Sequence, residues 1–169
     1  MRIFLIGFMG SGITTIGRQL SAKLGYRFLD MDEEIQNQFH LKVSQIFEKY
    51  GEQGFRQAEK ELISKTREYE DIVISTGGGA PCFFNNLDTM NLLGITIYLK
   101  TEPKTLSKRL KGSQQNRPLL KDKTEAELLQ YVKDKLVERE PFYKKAKHTI
   151  EAIDIKVQDI ITVLSSSRA

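Results

Sequence analysis

Short apolar runs alternate with longer segments of helical periodicity along the whole chain. The apolar runs of strand length are residues 2–6, 27–29, 71–75, 95–99 and 148–151. The segments in which apolar residues recur at helical spacing include 14–24, 103–110, 125–138 and 157–164. Strand–helix alternation of this kind predicts an α/β fold, in which a parallel sheet carries helices on both faces.

The carboxyl ends of parallel strands meet at one edge of the sheet, and ligands of open α/β sheets bind there. A polar connection, residues 111–123 with the sequence KGSQQNRPLLKDK, lies between two predicted helices. A loop of this length in a compact domain is often a lid or a binding loop, so this one is a candidate lid. The length of 169 residues predicts one domain over residues 1–169.

The composition, 40% hydrophobic and 28% charged, is ordinary for a globular protein. No apolar run approaches the roughly 20 residues of a membrane-spanning helix. The apolar N-terminus runs into a glycine loop and not into a cleavage site, so it predicts a buried strand. The single cysteine, Cys82, excludes an intramolecular disulfide, and we expect a cytoplasmic protein.

The net charge of +4 fits two classes of partner. A basic surface can bind nucleic acid, or it can collect small anions such as phosphates and carboxylates. The basic residues are spread along the chain without long runs. This distribution favours small anionic ligands and predicts neither a nucleic-acid nor a membrane partner.

A glycine-rich loop directly follows the first predicted strand. It reads GFMGSGITT over residues 7–15 and matches the phosphate-loop pattern G-x-x-x-x-G-K-[ST] at every fixed position except the lysine, which is Ile13. Glycines let backbone N–H groups wrap around phosphate oxygens, and the start of a helix favours anions. The candidate ATP-binding residues are Gly10, Ser11, Gly12, Ile13, Thr14 and Thr15, of which Thr14 is also a candidate Mg²⁺ ligand.

Ile13 lacks the positive charge that the loop lysine places against the β- and γ-phosphates. Loss of one preorganised electrostatic contact commonly lowers a rate by roughly 10²–10³. Nucleotide binding should suffer less than catalysis, because the backbone amides, the helix dipole and Mg²⁺ remain. Two explanations stay open: a substitution in an otherwise active kinase, or a natural variant with lost or altered activity.

Charged residues suited to an acidic substrate follow the second predicted strand. Asp30 and Asp32 would point to the same face of an extended chain, where they could support Mg²⁺ through water and accept a proton from a hydroxyl. The alternative is an aspartate cap for a helix that begins near Glu33. Arg56 and Glu59 lie at i, i+3 on a predicted helix, so the glutamate could orient the guanidinium toward a carboxylate. The alternative for this pair is a solvated surface ion pair.

Three later features add to this set. Residues 77–79 are three glycines directly after a buried strand, and they would allow a ligand to approach the backbone closely. Arg117 lies in the predicted lid and could close over nucleotide phosphates. Arg139 could be a second clamp for a carboxylate.

Together these motifs resemble the shikimate kinase family in order and approximate spacing. The resemblance spans residue 1 to about residue 160 and rests on the GFMGSG-TT loop, the DxD of Asp30 and Asp32, FRxxE from Phe55 to Glu59, the three glycines, RPLL from Arg117, and RxPxY from Arg139 to Tyr143. It implies a P-loop kinase with a five-stranded parallel sheet, a substrate-binding region at about residues 31–60 and a lid at about 111–123. The chain departs from the family pattern at Ile13.

The resemblance also implies an activity and its residues. A family member would be a monomer that uses ATP and Mg²⁺ to phosphorylate the 3-hydroxyl of shikimate, on the route to chorismate and the aromatic amino acids. Asp32 and Arg117 would be catalytic, Asp32 as the base and Arg117 at the ATP phosphates. The substrate-binding residues would be Asp32, Arg56, Gly78, Gly79 and Arg139, and Mg²⁺ would be held by Thr14 and, through water, by Asp30.

Two other hypotheses stay open. One is a related small-metabolite kinase for gluconate or a nucleotide; two arginines matched to one carboxylate favour a polyhydroxy acid over a nucleoside monophosphate. The other is a catalytically silent pseudokinase that binds ligands in the same pocket, for which Ile13 would be the natural residue.

Overall fold

A parallel sheet of five strands forms the centre of the fold in a computed structural model, which describes residues 1–114 and 118–166. The strands are β1 (Arg2–Ile6), β2 (Arg27–Asp30), β3 (Ile72–Ser75), β4 (Ile95–Lys100) and β5 (His148–Glu151). Their order across the sheet is β2-β3-β1-β4-β5, and every neighbouring pair is parallel. The predicted α/β class with a five-stranded parallel sheet is therefore confirmed.

Helices connect the strands and cover both faces of the sheet. They are α1 (Ile13–Leu24), α2 (Met31–Phe39), α3 (Val43–Lys65), α4 (Asn86–Leu93), α5 (Pro103–Lys111), α6 (Glu125–Tyr143) and α7 (Val157–Ser166). α3 bends at Gly51, whose φ of 72° is not helical. The side chain of Thr124 caps α6 by accepting a hydrogen bond from the Glu127 N–H.

Strand β1 shows how the sheet separates two cores. Its successive side chains point to opposite faces, so Phe4 and Ile6 enter one core while Ile3 and Leu5 enter the other, and all four are fully buried. The first core lies against α2 to α6, and the second lies against α1 and α7. Continuous burial of a short strand on both faces is the pattern of a parallel sheet.

The loops that leave the carboxyl ends of the strands gather at one edge of this sheet. The glycine-rich loop follows β1, α2 follows β2 directly, and the three glycines follow β3. In the part of the chain that the structure describes, no helix has the length and apolar character needed to cross a membrane. The candidate residues of these three segments thus lie at one edge of the sheet.

Candidate active site

The glycine-rich loop turns sharply from β1 into α1. Gly12 is the N-cap of α1 and has a φ of 87°, a left-handed conformation that favours glycine. Its carbonyl accepts the first helical hydrogen bond, from the N–H of Ile16 at 2.9 Å, and the Ser11 N–H donates to the Phe8 carbonyl at 3.0 Å. The N–H groups at the start of α1 are therefore presented to an anion.

A buried hydroxyl lies beneath this turn. The Ser11 side chain is 2% exposed, and its oxygen has no hydrogen-bond partner among the described residues. A Cβ on Gly7 would lie 2.5 Å from that oxygen, so glycine is required there by space. A buried polar atom without a partner is costly, which makes this hydroxyl available to an incoming phosphate or to water.

Ile13 is half-buried and packs against the second core, beside α1 and α7. The side chain at the lysine position of the motif therefore makes an apolar contact and supplies no charge. A basic side chain does reach the loop from another element: Nη1 of Arg109 on α5 donates to the carbonyl of Gly10 at 3.1 Å. Thr15, which directly follows the last position of the motif, is exposed.

Three oxygen-bearing side chains meet where the loop enters α1. The Thr14 hydroxyl donates to Asp30 Oδ2 at 2.8 Å and lies 3.2 Å from the Ser75 hydroxyl. Mg²⁺ prefers oxygen ligands and usually takes one or two from the protein, with the others from phosphates and water. The donor set fits that ion, and no group of three or more His, Cys, Asp or Glu side chains in the described residues forms an all-protein metal site.

The two aspartates do not share the face of a strand, and that expectation was wrong. β2 ends at Asp30, and Asp32 lies in the first turn of α2. The reason is that Asp30 caps α2: its Oδ1 accepts hydrogen bonds from the N–H groups of Asp32 at 3.0 Å and Glu33 at 3.1 Å. The turn still brings Asp32 to the ligand edge, close to Gly77.

Arg56 and Glu59 form a buried ion pair on α3, not a solvated one. Arg56 is 8% exposed and Glu59 is fully buried, and Arg56 Nη1 donates to Glu59 Oε2 at 2.8 Å. Glu52 accepts weaker contacts at 3.3–3.4 Å, and the guanidinium lies 4.2 Å from the centre of the Phe83 ring. Arg56 is thereby held in one orientation.

Glu59 has an unusual protonation equilibrium. Burial raises the pKa of Glu59 to about 7, the charge of Arg56 opposes this rise, and the charge of Asp32 adds to it. Its second oxygen, Oε1, has no hydrogen-bond partner among the described residues. The carboxyl group therefore gains or loses its proton near neutral pH.

The first and third glycines after β3 touch these charged groups. A Cβ on Gly77 would lie 3.0 Å from Asp32 Oδ1 and 3.1 Å from Glu59 Oε1. A Cβ on Gly79 would lie 2.6 Å from Arg56 Nη1, which no side chain could tolerate without displacing the guanidinium. The glycines are therefore needed for close approach.

The middle glycine, Gly78, lies between the Arg139 guanidinium and the glycine-rich loop. A Cβ on Gly78 would lie 3.4 Å from Arg139 Nη1, and also 3.4 Å from the backbone nitrogen of Met9 in the glycine-rich loop. The Arg139 guanidinium lies 5.5 Å from the centre of the Phe8 ring in the same loop. The second predicted carboxylate clamp is thus placed directly beside the phosphate loop.

Comparison with known proteins agrees with this geometry. The family model "Shikimate kinase" matches residues 9–167. A shikimate kinase of Phocaeicola vulgatus is 44% identical over 155 residues, which are 92% of this chain and 89% of that protein. The chain belongs to the shikimate kinase family.

Two solved structures of shikimate kinases extend the match to three dimensions. Shikimate kinase from Bacteroides thetaiotaomicron superposes with a TM-score of 0.92 at 39% identity, covering 98% of both chains. Shikimate kinase from Acinetobacter baumannii in complex with shikimate gives a TM-score of 0.87 at 36% identity, covering 98% of this chain and 93% of that one. The family resemblance of the sequence is confirmed.

Some features of this family member's site were not foreseen from its sequence, and one expected residue is not seen. Phe83 beneath Arg56, Glu52 beside it and the contact of Arg109 with the loop carried no motif signal. Arg117 of the predicted lid lies outside the described residues. The lid segment next to it is tied together by Gln114 Nε2, which donates to the carbonyls of Leu120 at 2.9 Å and Lys123 at 3.0 Å.

Proposed function

We propose that this chain binds ATP and shikimate side by side and transfers the γ-phosphoryl group of ATP to the 3-hydroxyl of shikimate, with turnover strongly reduced by Ile13. The observation that carries the proposal is the position of Gly78. It lies between the phosphate loop, at Met9, and the guanidinium of Arg139, so that a Cβ there would be 3.4 Å from both. Phosphoryl transfer needs its two substrates in line and in contact, and this juxtaposition supports such an arrangement.

On the acid side, Arg56 and Arg139 would bind the shikimate carboxylate, with Gly78 and Gly79 beside the ring. Asp32 would accept the proton of the 3-hydroxyl while the hydroxyl oxygen forms a bond to the γ-phosphorus of ATP. The bond between the γ-phosphorus and the bridging oxygen would break, and that oxygen would leave with ADP. Support comes from the fixed orientation of Arg56 and from the position of Asp32 beside the glycine segment.

On the nucleotide side, the N–H groups at the start of α1 would bind the phosphates. Thr14 would hold Mg²⁺ directly and Asp30 through water, and the ion would supply charge neutralisation at the phosphate oxygens. Arg117 would reach the ATP phosphates from the lid. Thr14 and Asp30 are already joined by a hydrogen bond of 2.8 Å, so their oxygens are held together.

Reduced turnover follows from the packing of Ile13. An apolar side chain against the second core supplies no charge to the developing transition state. The same packing favours a second candidate function, a silent protein that binds both ligands without reaction. Both candidates predict binding, and they differ in turnover and in its response to a restored lysine.

The test is ADP release with ATP, Mg²⁺ and shikimate for this chain, Ile13→Lys and the uncharged control Ile13→Met. We expect Ile13→Lys to raise kcat by roughly 10²–10³ and Ile13→Met to leave it near the parent value. If Ile13→Lys is silent although both ligands bind, the protein is the silent binder. If shikimate neither binds nor reacts, a panel including gluconate should identify the acid.

A further inference from the structure

Tyr143, at the end of α6, is fully buried, and its hydroxyl makes a hydrogen bond to the backbone. Its hydroxyl donates a hydrogen bond of 2.5 Å to the carbonyl of Gly78. Its ring packs against the ring of Tyr98, with 5.1 Å between ring centres. A phenylalanine would fill the same volume, so the polar contacts of the hydroxyl, with the Gly78 carbonyl and with Arg139, are what require a tyrosine here.

With that hydrogen bond, every carbonyl group of the glycine segment, residues 77–79, has a hydrogen-bond donor. The carbonyls of Gly77 and Gly79 accept N–H hydrogen bonds from the 3₁₀ turn that follows, and the carbonyl of Gly78 accepts the Tyr143 hydroxyl. All three carbonyls therefore have donors. In contrast, none of the hydrogen bonds between the described residues uses the Gly79 N–H as a donor.

The hydrogen bond to the Gly78 carbonyl also sets the direction of the Gly79 N–H, which belongs to the same peptide unit. The described chain contains no cis peptide bond, and in a trans peptide the C=O and N–H bonds point to opposite sides. Fixing the Gly78 carbonyl toward Tyr143 therefore directs the Gly79 N–H away from Tyr143. Glycine has the widest choice of backbone conformations, so an external contact is what restricts this segment.

Tyr143 also lies within the electrostatic influence of Arg139. Burial raises the pKa of Tyr143, and the positive charge of Arg139 opposes that rise. Arg139 Nη1 itself lies 3.4 Å from where a Cβ on Gly78 would be. The hydroxyl, the guanidinium and the Gly78 peptide thus form one cluster behind the acid-binding side.

We propose that Tyr143 is a positioning residue, whose hydroxyl holds the Gly78 carbonyl so that the N–H group of Gly79 faces the bound substrate. This inference rests on the proposed function, because it assumes that shikimate lies on the glycine segment. Tyr143 touches no substrate itself and acts through the backbone.

The test compares Tyr143→Phe with the matched control Tyr98→Phe, in which a neighbouring buried ring loses a hydroxyl that interacts with Glu140 and not with Gly78. Calorimetric titration with shikimate should show a dissociation constant raised about five- to tenfold in Tyr143→Phe and less than about twofold in Tyr98→Phe. Binding of a non-hydrolysable ATP analogue should stay unchanged in both.

A second readout does not depend on the substrate. Amide hydrogen exchange at residues 77–80 should become faster in Tyr143→Phe and stay unchanged in Tyr98→Phe. Unchanged exchange, or equal loss of both ligands in both variants, would overturn the positioning role. If the parent chain does not bind shikimate, the proposed function fails, and the exchange comparison still decides whether Tyr143 holds the glycine segment.

Discussion

The two halves of the site handle negative charge in different ways. On the nucleotide side, the phosphate loop relies on backbone N–H groups and on the Thr14–Asp30 oxygens, and the motif position for a cation is the apolar Ile13. On the acid side, Arg56 is buried, paired with Glu59 and packed on an aromatic ring. Among the described residues, the proposed nucleotide half thus offers mainly backbone dipoles, and the proposed acid half offers a fixed formal charge.

This difference predicts whether a defect in each half changes ligand affinity or the rate of phosphoryl transfer. Backbone dipoles bind a ground-state phosphate well, whereas a mobile lysine adds most when charge develops in the transition state. The nucleotide half of this chain should therefore keep affinity and lose rate. The acid half has its charges in place, so its contribution should appear as shikimate affinity.

The largest effect expected in a test of the acid half is that of Arg56→Lys. Lysine keeps the charge but loses the planar fork that pairs with Glu59 and with a carboxylate, so the shikimate dissociation constant should rise roughly 10–100-fold. Arg18→Lys is the matched control, because Arg18 pairs with Glu33 at 2.7 Å on the exposed surface. Calorimetry that shows equal shikimate affinity in both variants would contradict a carboxylate clamp at Arg56.

A smaller effect is expected on the nucleotide half from Asp30→Asn. Asparagine still caps α2, so the fold should survive, but the lost carboxylate charge should raise the Mg²⁺ concentration needed for ATP-analogue binding roughly tenfold. Fluorescent-nucleotide titrations over a range of Mg²⁺ would measure this. Asp159→Asn provides a control at the start of α7, where Asp159 accepts the Lys156 N–H. An unchanged Mg²⁺ requirement in Asp30→Asn would argue against a metal beside Thr14.

The smallest expected effect is a pH dependence of the acid half. The folded-state pKa of Glu59 is raised to about 7, so Glu59 is mostly neutral below that pH and becomes an anion above it. The anion neutralises Arg56 and competes with the substrate carboxylate. Shikimate affinity should therefore fall roughly threefold as the pH rises from about 6 to about 8.

Glu59→Gln separates this effect from others. Glutamine retains an oxygen that can orient Arg56 but does not titrate, so the affinity profile should become flat between about pH 6 and 8. Calorimetry at several pH values is the measurement. A profile that keeps its slope in the variant would assign the pH dependence to another group.

The sequence predicted the sheet well because buried parallel strands leave a plain signal. The expected strand at residues 2–6 has the observed bounds, and the others differ by one residue at most. α4 was not predicted: its eight residues, NLDTMNLL, form a helix that packs against the first core through Leu87 and Met90. Tertiary contacts, which a local pattern does not contain, stabilise such a short helix.

Among the described residues, the sequence predicted which segments gather at this edge of the sheet, but not the geometry of their side chains. The i, i+3 spacing of Arg56 and Glu59 is the same on a surface and in a core, and only packing against Phe83 and the glycines makes the pair buried. Likewise, the spacing of Asp30 and Asp32 suits a strand, but capping of α2 decided the backbone there. The spacing of residues in a sequence therefore does not predict the effects of long-range packing and of helix capping on the geometry of the site.

Asp30 has one further consequence, for the order in which ligands bind. One of its oxygens accepts the Thr14 hydroxyl, and the other caps the helix that carries Asp32. A nucleotide with its metal at Thr14 and an acid at Asp32 would therefore act on the two ends of one carboxylate. Coupling between two binding sites is reciprocal: if the nucleotide with its metal raises the affinity for the acid, the acid must raise the affinity for the nucleotide by the same factor. We therefore expect the two substrates to bind cooperatively.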